Sequence, residues 1–79
     1  MDKGEQEQKK FLEEQVEWCR KQDGILEGIE EKLYEMKELA KYARDHELTS
    51  LEIDKLNGQL NALRREVHFL EKQLQSVIH

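Results

Sequence analysis

The chain has 79 residues, of which 39% are charged and 37% hydrophobic, and its 18 acidic and 13 basic side chains give a net charge of −5. This length allows one small domain, residues 1–79, whose core is too small for a wide margin of stability, so we expect self-association. The acidic balance disfavours nucleic acid and anionic membranes as partners.

The composition is typical of long helices. Proline is absent and Glu, Lys, Leu, Gln and Arg are abundant, as in coiled coils. No apolar run approaches the roughly 18 residues of a membrane span, and the first residues lack the apolar core of a signal peptide. The single cysteine, Cys19, has no partner for an intrachain disulfide. The sequence therefore predicts an all-α cytoplasmic protein.

The first helix is predicted over about residues 5–45, where apolar or small residues recur every seven positions. This seam consists of Leu12, Cys19, Leu26, Leu33 and Ala40, with Ile29, Met36 and Ala43 three positions later. We expect Cys19 to be a small buried hydrophobe in that seam. Gly24 could interrupt the helix, but the apolar pattern crosses it without losing phase, so we expect a continuous helix.

A second apolar row in the first helix lies one position before the seam. Its members are Phe11, Trp18, Ile25 and Leu39. Together the two rows make an apolar face wider than that of a two-stranded coil, which favours bundles of three or four helices. We expect Phe11, Trp18 and Ile25 to contact a second subunit or another protein.

The turn is predicted at about residues 46–49, followed by a helix start. Thr49 can cap the helix while Glu52 reaches back to the backbone N–H of Thr49, and Leu48 can pack on Ile53 as a hydrophobic staple. A connection this short makes the two helices antiparallel neighbours.

The second helix is predicted over about residues 50–78 and carries one complete apolar ladder. The ladder is Ile53, Leu56, Leu60, Leu63, Val67, Leu70, Leu74 and Val77. In the hairpin, facing positions have numbers that sum to roughly 96, which places Val77 near Cys19 and leaves residues 1 to about 17 as an overhang. Phe69 lies off the ladder, close to Gly28. The prediction is an antiparallel two-helix coiled-coil hairpin that assembles into a dimeric four-helix bundle.

Groups with chemical reactivity are scattered along the chain. His46 lies at the turn, where a cation suits the carboxyl end of a helix, while His68 and His79 have no partner at ligand spacing. The sequence predicts no enzyme activity, no catalytic or metal-binding residue and no cofactor. The predicted interface is Phe11, Leu12, Val16, Trp18, Ile25, Leu26, Ile29, Leu33, Met36, Ile53, Leu56, Leu60, Leu63, Val67, Phe69, Leu70, Leu74 and Val77.

The stretch from about 33 to 67 resembles the Spo0E-like aspartyl-phosphate phosphatases, small helical hairpins of spore-forming bacilli. The likeness is carried by Leu39, Ala43, Leu48-Thr49, Leu60 and Leu63. The family has a Ser-Gln-x-Leu-Asp signature early in its second helix, where this chain has Asn57-Gly58-Gln59-Leu60-Asn61. Only the leucine agrees, and Asn61 lacks the carboxylate that the family's phosphatase activity needs.

Three functions are compatible with these patterns. The first is a non-enzymatic coiled-coil module for protein–protein interaction or oligomerisation, with a homodimer favoured. The resemblance implies an alternative, a regulator that binds a phosphorylated response regulator without phosphatase activity. The third is a fragment of a longer coiled-coil protein.

Overall fold

The computed structural model describes residues 2–78, and their side chains through residue 76. It contains two α-helices, α1 (Lys3–Asp45) and α2 (Ser50–Ile78), joined by a short turn. α2 returns along α1, since Gly28 lies opposite Leu70 and Lys32 opposite Glu66. The predicted all-α hairpin is confirmed. None of the described helices is long and apolar enough to cross a membrane.

α1 runs without a break through Gly24, as predicted. At its start, the Asp2 carboxylate accepts a hydrogen bond from the Gly4 backbone N–H at 3.3 Å. At its end, Nδ1 of His46 lies 2.9 Å from the carbonyl oxygen of Tyr42, and the two rings stack with centroids 4.1 Å apart. Because a carbonyl only accepts, Nδ1 carries the proton. His46 thus satisfies one of the last four carbonyls of α1.

α2 begins directly after Thr49, the predicted capping residue. Oγ1 of Thr49 accepts from the backbone N–H of Glu52 at 3.2 Å, and the Thr49 carbonyl accepts from the N–H of Ile53 at 2.9 Å. One detail of the predicted capping box is wrong. The Glu52 carboxylate accepts from the Thr49 hydroxyl at 3.1 Å rather than from its backbone N–H.

The two helices meet along one seam of half-buried side chains, in which Ile25 (9% exposed) and Val67 (8%) are the most buried. α1 contributes Gln22, Ile25, Ile29, Lys32, Met36, Leu39 and Ala43. α2 contributes Leu56, Leu60, Leu63, Val67, Leu70 and Leu74. The predicted ladder of α2 is confirmed except at Ile53, which is exposed beside the turn, and at Val77, whose side chain lies outside the described residues.

One of the two rows in the predicted seam of α1 is wrong, whereas Ile29, Met36 and Ala43 of the other row are half-buried in the seam as predicted. Leu26 is 40% exposed and Leu33 50% exposed, and Leu12, Cys19 and Ala40 in the same row are exposed too. The row that faces α2 is the one containing Ile25 and Leu39, which lies about 100° around the helix. Lys32 occupies this row and packs its aliphatic stem in the seam while its ammonium reaches the edge. Ile25 therefore packs inside the hairpin.

The partner predicted for Gly28 is also wrong. A Cβ atom at Gly28 would lie 3.2 Å from Cδ1 of Leu70, whereas Phe69 is mostly exposed. The residue numbers of facing positions sum to 98 rather than roughly 96. Because of this two-residue shift, the ladder residue Leu70 lies opposite Gly28.

We expect Thr49→Ala to lower the free energy of unfolding by about 1 kcal/mol, because the N–H of Glu52 loses its acceptor. Urea unfolding followed by circular dichroism measures the change. Ser50→Ala is the matched control, since its side chain is exposed in the first turn of α2, and should alter stability little. Equal effects of the two substitutions would contradict the capping role.

The two glycines of α1 should respond differently to alanine. A Cβ at Gly24 meets nothing within 4 Å, so Gly24→Ala should raise the free energy of unfolding by about 0.5–1 kcal/mol through the lower entropy of the unfolded chain. Gly28→Ala should gain less, because Leu70 must move to admit the methyl group. The same unfolding measurement compares them, and equal stabilisation would contradict the close approach of α2 at Gly28.

Candidate interaction surfaces

Much apolar surface remains uncovered on the hairpin. No side chain among the described residues is fully buried. The exposed large apolar side chains are Phe11, Leu12, Val16, Trp18, Leu26, Leu33, Tyr34, Tyr42, Leu51, Ile53 and Phe69. Where such side chains lie together on one surface, they mark sites of interaction with other proteins.

The first surface, which we call the overhang, is the part of α1 that extends past α2. Given the register of the hairpin, Ile78 at the end of α2 lies opposite residue 20, so residues 3–20 form about 27 Å of helix beyond the seam. Phe11, Leu12 and Val16 are exposed there, and Trp18 is 38% exposed. Phe11, Leu12 and Val16, three of the predicted interface residues, do not join the hairpin seam. The predicted approach of Val77 to Cys19 involves a side chain outside the described residues.

The second surface, the flank stripe, consists of Leu26, Leu33 and Ala40. The three side chains recur every seven residues, so they lie on one side of α1, and all are exposed. Cys19 continues this row into the overhang and is exposed as well, contrary to the prediction that it is a buried hydrophobe. Sequence reasoning found these residues but assigned them to the inside of the hairpin.

An open groove of about 560 Å³ lies along the other side of the seam. It is lined by Tyr34, Glu35, Glu38, Leu39, Tyr42, Gln59, Ala62 and Leu63. A neighbouring groove closer to the turn shares three of these residues and adds Leu48, Glu52, Lys55 and Leu56. Sequence reasoning did not identify these grooves, because they form only where α1 and α2 meet.

Among the described residues, one ion pair connects the two helices at the seam. Nζ of Lys32 lies 3.1 Å from Oε2 of Glu66, and the Lys32 side chain is 30% exposed. The hydrogen bond to Glu66, together with the negative charge of Glu35, raises the pKa of Lys32 above its usual range. Sequence reasoning missed this pair because it placed Lys32 outside the seam.

The reactive groups do not converge. His46 is bound to the last turn of α1, and Nδ1 of His68 lies 3.5 Å from the Glu71 carboxylate on the surface of α2. Within residues 2–78, no group of three or more His, Cys, Asp or Glu side chains could hold a metal ion.

The positions aligned with the Spo0E-like signature lie on the second and third turns of α2. Asn57, Gly58, Gln59 and Asn61 are exposed, while Leu60 faces α1 in the seam. Comparison of the chain with protein-family models, with curated proteins and with solved structures gave no match. The resemblance therefore stays a prediction.

The Lys32–Glu66 pair gives the hairpin a specific dependence on alkaline pH. Because the pKa of Lys32 is raised in the folded state, its contribution is complete below the ordinary lysine value of 10.5 and is lost as the pH rises through the folded pKa. Above that value, the free energy of unfolding of the wild type should therefore fall relative to that of Lys32→Met.

Urea unfolding in a series of buffers from about pH 8 to about pH 11.5 measures this difference. Lys55→Met is the matched control, since Lys55 is exposed on α2 and forms no ion pair with any described residue. A pH dependence that is the same for both variants would contradict a stabilising role of the ion pair between Lys32 and Glu66.

Proposed function

We propose that this chain is a non-enzymatic protein–protein interaction module that acts by helix packing, and that it forms a homodimer of hairpins containing four helices. The observation that carries the proposal is the shortage of buried side chains. Only Ile25 and Val67 form the core of the described hairpin. A single chain of this size rarely gains enough stability from so small a core, and natural domains of this kind commonly oligomerise.

The exposed area supports the same proposal. The chain exposes 6878 Å², whereas a compact monomer of 9.5 kDa is expected to expose about 5,000 Å², an excess of about 1,800 Å². Two chains that covered most of this excess would bury an area within the range of about 2,000–5,000 Å² typical of obligate homodimers. The elongated shape, 70 Å long and 19 Å wide, leaves α1 accessible along its whole length.

The overhang supports the binding role of the module. It combines Phe11 and Trp18 with the aliphatic Leu12 and Val16 on about five turns of helix, and aromatic anchors contribute disproportionately to interface energy. We place a protein partner on this surface. The lone thiol of Cys19 suits a reducing compartment such as the cytoplasm.

Sedimentation equilibrium over a wide range of protein concentration tests the self-association. We expect a concentration-dependent equilibrium between monomer and dimer, with a melting temperature that rises with concentration because association stabilises the folded chain. A protein that is monomeric and fully folded at every concentration, with a sharp melt independent of concentration, would overturn the proposal.

A further inference from the structure

Resting on the proposed self-association, we infer that two copies pair through the flank stripe, α1 against α1 and antiparallel, with a two-fold axis at Leu33. The occupant of this stripe is thus a second copy of the chain. Leu26 and Leu33 are 40% and 50% exposed and lie about 100° around α1 from the row that meets α2. A second helix can therefore approach them without displacing α2.

The apolar residues of the stripe are self-complementary about Leu33. A two-fold axis there places Leu33 on its own copy and Leu26 against the partner's Ala40, so that a large side chain meets a small one. Such an isologous contact closes after two copies and does not propagate into a fibre.

The charges beside the stripe change sign at Leu33. On the outer side of the stripe the residues before Leu33 are acidic and those after it are basic. The acidic residues are Asp23 and Glu30, and the basic ones are Lys37 and Arg44. They lie three or four positions from stripe residues and therefore flank the stripe on the helix surface.

Antiparallel pairing about Leu33 matches these charges with their opposites. Glu30 comes opposite the partner's Lys37, and Asp23 comes opposite the partner's Arg44. Each pair occurs twice because of the two-fold symmetry. Within the described part of the hairpin Asp23, Glu30 and Lys37 form no intramolecular ion pair, so their charges are available to a second copy.

Other arrangements of α1 against α1 place like charges together. A parallel pair sets each of these residues against its own copy. An antiparallel pair moved by one heptad sets Leu26 against the partner's Leu33 and Glu30 against its own copy, and keeps only the attraction between Asp23 and the partner's Lys37. Moved by two heptads, with its axis at Leu26, the pair brings Asp23 near the partner's Glu30 and Lys9 near the partner's Arg44. Like charges across an interface are unfavourable and select against a register. The charge pattern therefore favours the axis at Leu33.

Leu33→Asp tests the apolar centre of this contact. Because Leu33 lies outside the hairpin seam, the variant should keep its helical circular dichroism but dimerise roughly 100-fold more weakly or worse, as for a central interface residue. Leu51→Asp is the control, since Leu51 is 79% exposed on α2, and should dimerise like wild type. Sedimentation equilibrium measures both. A folded Leu33→Asp variant that dimerises as tightly as wild type would overturn the inference.

Charge reversal tests the orientation. Glu30→Lys alone and Lys37→Glu alone should each weaken dimerisation several-fold, since each places two like-charged pairs in the interface. The double variant, Glu30→Lys with Lys37→Glu, should restore the wild-type dissociation constant because both pairs are re-formed with opposite polarity. Additive weakening in the double variant would overturn the antiparallel register.

Disulfide formation gives a readout that does not depend on destabilising the protein. Leu33→Cys in a Cys19→Ser background should form a covalent dimer on mild oxidation, whereas the two Cys19 thiols of wild type would lie about 42 Å apart along the paired helices and should not. Covalent dimers from Cys19 but not from Leu33→Cys would overturn the inference.

The outcomes separate the two proposals. A wild-type chain that is monomeric in sedimentation overturns the proposed self-association itself. A dimeric wild type that tolerates Leu33→Asp and forms no disulfide through Leu33→Cys overturns only the position of the interface. Substituting Phe11→Ala and Trp18→Ala in the overhang should leave the dimer intact, since these residues lie beyond the paired region.

Discussion

The packing of the α2 ladder on α1 is the interaction on which the rest of the structure depends. Most helical stability in proteins comes from tertiary packing, so α2 is held by the burial of residues such as Leu63 and Val67 in the seam with α1. Since α2 is 29 residues long and α1 is 43, this seam ends before α1 does. The overhang is a direct consequence of that difference in length.

The ion pair of Lys32 with Glu66 is specific to the observed register of the seam. An apolar ladder with a seven-residue repeat can be moved by one heptad with little loss of contact, and a polar residue at one seam position is a known means of preventing this. In the observed register Lys32 meets Glu66 at 3.1 Å. A shift by seven residues in either direction would bring Gln59 or Gln73 to that position, and the ion pair would be lost.

The accuracy of the sequence predictions follows from how many apolar rows each helix carries. α2 has one row, so its seam could be predicted, and Thr49 marked its first residue through a local hydrogen bond. α1 has two adjacent apolar rows. The row that faces α2 is interrupted by the polar residue Lys32, whereas the neighbouring row has Leu33 at that turn and therefore looks more complete in the sequence. Periodicity within one helix cannot choose between them. The choice depends on Glu66 and Leu70 in the other helix, and hence on tertiary contacts.

The difference between the helices also bears on the proposed pairing of two chains. The flank of α2 at the corresponding positions carries Asn57, Arg64 and Glu71, so α2 is apolar toward one neighbour only. α1 has a second apolar row about 100° from the first, which is the arrangement of a helix with two neighbours in a bundle. Because the row with Ile25 faces α2, Leu26 and Leu33 stay outside the hairpin. A second copy that covered them would complete the burial that one chain of 79 residues leaves unfinished.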